Sequence, residues 1–137
     1  MSFPPPAGHT STEIQTVAAW HAALNSGDVE RLVDLSHPDI EVGGPRGAAH
    51  GAQILREWVA SADIRLEPLR TFHRDDTVVV EQEAEWRSAA PGAIQTAASV
   101  FVVEDGVVKS VMRHPDLASA LRAADLDETD ERPQAGR

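Results

Sequence analysis

An imidazole at His114 closes a run of alternating residues, 107–114, and it is the side chain in this sequence best suited to take or give a proton near neutrality. Its neighbours follow from the Asp105-Gly106 pair, a two-residue type I′ turn, because both central positions need φ > 0. With that turn and uninterrupted pairing, Val103 opposes Val108, Phe101 opposes Ser110 and Ser99 opposes Met112. Directly paired residues share a face, so Ser99, Phe101, Val103, Val108, Ser110, Met112 and His114 are expected together. A preceding strand alternates Val78, Val80, Gln82, Ala84 and Trp86 with Val79, Glu81, Glu83 and Glu85, and adds Gln82 and Trp86 to the inward set. Helical spacing adds Trp20 and Trp58. The chemistry available is proton transfer by His114, with Ser99, Gln82 and the Trp20 N–H as polar donors against tryptophan walls. A second reading makes His114 a rim residue bonded to a loop and makes Trp20, Trp58 and Trp86 core filler.

The remaining titratable groups carry less. His114-x-Asp116 has the reach of a metal pair, but Pro115 interrupts the strand and no second histidine is near in sequence, so no metal is expected. His50 and His73 fall in or beside loops, and His21 belongs to helix packing. Glu81, Glu83 and Glu85 stand on the outer face, where Lys109 and Arg113 can pair with them. With Val79, Val100, Val102 and Val111, these residues compose an apolar and charged outer face expected to form a homodimer seam (Val79, Glu81, Glu83, Val100, Val102, Lys109, Val111, Arg113).

The elements that must position these groups follow from periodicity. Residues 1–10, with three consecutive prolines, read as an extended Pro-rich arm, and Thr10-x-x-Glu13 is a capping box for a helix over 11–25. Ser26-Gly27 ends that helix and Asp28 caps a second over 29–35. A short strand over 40–42, a Gly/Pro-rich irregular stretch over 43–51 and a helix over 52–61 come next. Strands follow over 64–73, where Pro68 predicts an edge or a bulge, and over 78–87, before the 96–114 hairpin. A short helix is expected over 115–124 and an acidic flexible tail over 125–137, leaving a single domain over 11–124. Helices first and a four-stranded antiparallel meander after make the fold α+β, with a curved sheet wrapped around the N-terminal helices.

Bulk properties narrow the function classes. The formal charge is −10, of which −8 falls in residues 1–121, so a nucleic-acid surface is not expected. There is no cysteine, which excludes disulfides and thiolate ligands. No apolar run approaches the roughly 20 residues of a membrane span, and the first residues lack a signal-peptide pattern. A cytoplasmic location is expected.

Four stretches carry a family resemblance: Trp20 followed by Asn25-Ser26-Gly27-Asp28, His37-Pro38-Asp39-Ile40-Glu41-Val42, Gly51-x-x-Ile54-x-x-x-Trp58, and Phe101-Val102-Val103-Glu104-Asp105-Gly106-Val107-Val108. In order and spacing, across residues 11–121, the chain resembles the SnoaL-like branch of the nuclear transport factor 2-like superfamily. The resemblance implies a cystatin-like cone with a pocket at its open end, frequent homodimers, and functions from isomerases and cyclases to non-enzymatic binders. Ketosteroid isomerases share the cone and use a tyrosine, a protonated aspartate and an aspartate base. Alignment to them puts Trp20 at the tyrosine, Ser99 at the oxyanion aspartate, and Val42 or Gly43 at the base, with Glu41 the nearby carboxylate. That triad is absent.

The expected function is therefore binding of a small hydrophobic or polycyclic molecule in a Trp-walled pocket lined by Trp20, Trp58, Gln82, Trp86, Ser99, Phe101, Ser110 and Met112. The reaction, where there is one, is a cofactor-independent isomerisation, cyclisation or dehydration with His114 as acid or base. The alternative is a non-catalytic ligand-binding or dimerisation module. An open cone with His114 facing into it would separate the two.

Overall fold

The computed structural model describes residues 11–44, 47–86 and 92–133, with no description of the side chains of residues 61 and 62. The expected Pro-rich arm, including Thr10, lies outside these residues. Helix α1 (Thr12–Ser26) is capped by Ser11 in place of Thr10, its hydroxyl accepting from the Ile14 N–H at 3.1 Å. Gly27 ends α1 in the left-handed region at φ 74°. The Asn25 amide pairs with the Leu66 backbone on both sides, donating to its carbonyl (2.8 Å) and accepting from its N–H (2.9 Å). The Asn-Ser-Gly-Asp stretch thus stops the helix and ties its end to the sheet. Asp28 then caps α2 (Val29–Asp34).

One seven-stranded sheet contains β1 (Ser36–Gly44), β2 (Gly47–His50), β3 (Ile64–Arg74), β4 (Thr77–Trp86), β5 (Ile94–Glu104), β6 (Val107–His114) and β7 (Glu131–Arg132). Their order is β2-β1-β6-β5-β4-β3-β7, antiparallel except for the β1–β6 pair. The expected meander is its centre. The Gly-rich stretch after Val42 is regular in part: β2 folds back on β1 so tightly that a Cβ on Gly43 would lie 2.5 Å from the Gly47 carbonyl oxygen. Helix α3 (Ala52–Ala62) follows. The inner face of the sheet carries the main core with α1, α2 and α3: Ile14, Val17, Trp20, Leu55, Val80 and Phe101 are all buried there. This is the α+β cone anticipated from the order of elements.

Two bulges bend the β3–β6 meander, beside a register shift between β1 and β6 at 36–41. One falls at Leu69, beside Pro68. The other falls at Lys109. The Asp105-Gly106 turn has both φ positive, at 54° and 78°, and Val103 does oppose Val108. Lys109 is then unopposed, so Ser110 pairs with Val102, Val111 with Phe101, Met112 with Val100 and His114 with Ala98. One extra residue moves every later side chain to the other face. Val111 and Arg113 consequently face inward, and Ser110, Met112 and His114 face outward, the reverse of the alternation expected from the turn.

The outer face is not an open seam. Helix α4 (Leu117–Ala124) packs on it, burying Ala120 and Leu121 with Phe72, Val79 and Ala98, and Val100 packs against the same cluster. Of the residues assigned to a dimer seam, Val79 and Val100 lie in that cluster and Val111 and Arg113 lie on the inner face; Glu81, Glu83, Val102 and Lys109 remain. The start of the C-terminal segment is likewise not a solvated tail. Leu126 is buried in the outer cluster, and β7 pairs with β3 at Thr71 and Phe72. Arg70 donates to Glu128 and Glu131, and Arg74 donates to Asp130 (2.9 Å). Three acidic residues there, Glu128, Asp130 and Glu131, thus pair with arginines at the sheet edge, Asp130 buried and the two glutamates still exposed.

Candidate functional site

The cone is open. A pocket of about 270 Å³ lies between α1, α3 and the inner face of the sheet, lined by Trp20, Val42, Ile54, Trp58, Ile64, Leu66, Ser99, Val111 and Arg113, with Gly43 and Gly44 of the tight β1–β2 hairpin beside them. Trp20 is fully buried and its indole stacks on Trp58, with ring centroids 6.5 Å apart and planes at 23°. Phe101 meets Trp20 edge-on at 5.4 Å. Burying an indole of ~150–250 Å² contributes about 4–6 kcal/mol, so Trp20 anchors the core while the half-buried Trp58 carries the aromatic surface into the pocket.

The expected polar donors behave differently from one another. The Trp20 N–H is already committed, donating to Ser36 Oγ at 3.1 Å, and Ser36 donates onward to the Leu32 carbonyl at 2.8 Å. Gln82 is fully buried behind Ser99 and does not line the pocket. The Ser99 hydroxyl donates to Gln82 Oε1 at 2.9 Å, and Gln82 Nε2 meets His21 Nε2 at 2.7 Å. His21 Nδ1 meets the Val17 carbonyl at 2.9 Å. Burial pushes the His21 imidazole down from 6.5 to about 4, so it is neutral at physiological pH. Sequence reasoning left His21 in helix packing. The signal that could have found its role is Gln82, a polar residue on an otherwise apolar inward stripe, which must be satisfied by whatever inward polar groups exist.

Of the residues expected to line the pocket, Trp20, Trp58 and Ser99 do. Phe101 lies in the core beneath Trp20. Trp86 packs at the edge of the inner core, with the Arg113 guanidinium 5.5 Å from its ring centroid, within cation–π range. Ser110, Met112 and His114 are carried to the outer face by the Lys109 bulge, so His114 cannot serve the pocket as acid or base. Arg113 takes the place on the inner face where His114 was expected. Among the described residues no carboxylate pairs with Arg113, which leaves a cation at the pocket wall of an acidic chain. Glu41, the carboxylate nearest the isomerase base position, lies 3.7 Å from His50 and outside the lining. Among the described residues no group of three His, Asp or Glu side chains converges as a metal site would require.

A helix-filled curved sheet with a pocket at its open end defines the nuclear transport factor 2-like class. Comparison with known folds agrees. A protein of this class from Cytophaga hutchinsonii, of unknown function, superposes with a TM-score of 0.69 at 15% identity, over 91% of this chain and 99% of that one. A candidate polyketide cyclase from Sinorhizobium meliloti gives 0.64 at 26% identity, over 72% and 93%. TerC, crystallised with polyporic acid, gives 0.68 at 22% identity, over 80% and 95%. Among curated proteins none matches by sequence. The SnoaL-like domain family matches residues 17–111, and the chain belongs to that family.

Proposed function

We propose that this SnoaL-like domain binds a small, planar, hydrophobic molecule bearing an electron-rich oxygen group, with its rings against Trp58 and its oxygen end at Arg113. The observation that carries this reading is the open apolar pocket of about 270 Å³ with an arginine at its wall and, among the described residues, no carboxylate paired with it. That volume is near the lower edge of small-molecule sites, about 300–1,000 Å³, which favours a compact ring system. The fold relatives named for polyketide cyclisation and crystallised with polyporic acid are in keeping with a small-molecule site in such a cone.

Ligand binding is the reading the site supports best, because no described lining residue is an acid or base that titrates near neutrality. An isomerisation, cyclisation or dehydration here would draw on Arg113 to stabilise an oxyanion as it develops, with the substrate or solvent supplying the proton acceptor. Isothermal titration with 2-naphthoate tests the reading. The wild-type chain should bind it saturably at one site, Arg113→Ala should weaken it on the order of tenfold, and Val111→Phe, which fills the cavity, should abolish it. Equal affinity in all three proteins would contradict the proposal.

A further inference from the structure

The buried chain behind Ser99 has a direction, and the direction can be read one proton at a time. It begins at the Val17 carbonyl, which has no proton to give, so the His21 Nδ1 that meets it at 2.9 Å must carry one and donate. Burial outweighs the pull of the Val17 carbonyl and the Glu67 charge toward a second proton, so His21 holds only that single proton, and its Nε2 is a bare lone pair. The Gln82 atom 2.7 Å from that lone pair must then be the amide NH₂, which donates to it. This sets the orientation of the Gln82 amide and leaves its carbonyl oxygen 2.9 Å from Ser99 Oγ. The Ser99 hydroxyl must therefore spend its one proton on Gln82. The reverse polarity would set two acceptors, Val17 O and an unprotonated Nδ1, against each other at 2.9 Å in a buried site.

What remains on Ser99 Oγ is lone pairs. No donor among the described residues reaches them, and Ser99 lines the pocket. We propose that Gln82 and His21 fix Ser99 Oγ as a hydrogen-bond acceptor toward the pocket, so that the site selects ligands presenting an O–H or N–H at that wall. This rests on the pocket reading above and specifies it: the ligand class becomes a planar aromatic or enolic molecule with a hydrogen-bond donor at Ser99 and an electron-rich oxygen at Arg113. His21 and Gln82 are positioning residues, acting on the ligand only through Ser99. A hydroxyl that is free to rotate would accept or donate as the ligand required and would not discriminate; a hydroxyl committed to Gln82 does.

The test uses 2-naphthol and 2-fluoronaphthalene, two probes of similar shape of which only the first can donate, with affinities measured by titration calorimetry. The wild-type chain should prefer 2-naphthol on the order of tenfold, and Ser99→Ala should remove that preference with little change in affinity for 2-fluoronaphthalene. Gln82→Leu releases the Ser99 proton, so 2-naphthaldehyde, which only accepts, should gain severalfold relative to 2-naphthol, a shift in selectivity that a merely structural role for Gln82 would not produce. Equal affinity for the first two probes in the wild type, or a preference that survives Ser99→Ala, would overturn the inference and leave the pocket reading standing. No saturable binding of any probe would overturn both.

Discussion

At the scale of single residues, His21 is the group whose ionisation couples most directly to the fold. Its imidazole is held neutral by burial, with a pKa near 4 against 6.5 in the unfolded chain. The sign follows from which state takes the proton first. Above about pH 6.5 both states are neutral and the contribution to stability is fully present. Between about 6.5 and 4 the unfolded chain binds a proton that the folded chain refuses, and stability falls by roughly 3 kcal/mol in all. Thermal melts should therefore show Tm dropping across this window. In His21→Gln, which cannot titrate, the drop should be distinctly smaller, although the variant starts lower at pH 7. An unchanged slope would mean that His21 is protonated in the folded protein. The inward direction of Ser99 and Gln82 was legible in the sequence because both precede the hairpin bulge. That they join His21 was not, since the link crosses from a helix to the sheet, with His21 and Gln82 61 residues apart.

At the scale of elements, one unopposed residue decides which side chains enter the pocket. The Asp105-Gly106 turn announces itself by its demand for positive φ. The Lys109 bulge does not: Val107-Val108-Lys109-Ser110 contains no glycine or proline to mark it. The Leu69 bulge was legible for the opposite reason, because Pro68 beside it has no N–H for the ladder. The C-terminal segment shows the limit of composition as a guide. Its acidic residues resemble a solvated tail until Arg70 and Arg74, on a strand more than fifty residues earlier, are set beside them. Leu126, 8% exposed against the outer cluster, is the apolar anchor of this segment among the described residues. Leu126→Ala should cost about 2 kcal/mol in urea denaturation, at the low end of buried leucine truncations. A cost near zero would restore the picture of a tail that contributes nothing.

At the scale of the whole molecule, the two faces of the sheet have separate duties. The inner face builds the core and the pocket, and the outer face is largely taken by α4 and the segment after it. The expected homodimer would have to use the seam residues that stay on the outer face and outside the α4 cluster, Glu81, Glu83, Val102 and Lys109. Sedimentation velocity at micromolar concentration should then give a particle of twice 14.7 kDa that Val102→Glu dissociates; a monomer in the wild type would end that expectation. Among the described residues no helix is long and apolar enough to cross a membrane. The fold class and the SnoaL-like family could be read from the chain because capping, turns and apolar periodicity all agree. The pocket's polar groups could be read only in part, because the strand that supplies Arg113 changes face where the sequence gives no sign of it.

The central claim is that ligands enter the cone between Trp58, Ser99 and Arg113. Three tryptophans give three indole N–H signals in a ¹⁵N-correlated NMR spectrum, which makes a titration with 2-naphthoate a direct test. The Trp58 indole signal should move most, together with the backbone amides of Ser99 and Arg113. If all three indole signals stay fixed while the amides of α4 shift, the ligand binds the outer face and the account of the site is wrong.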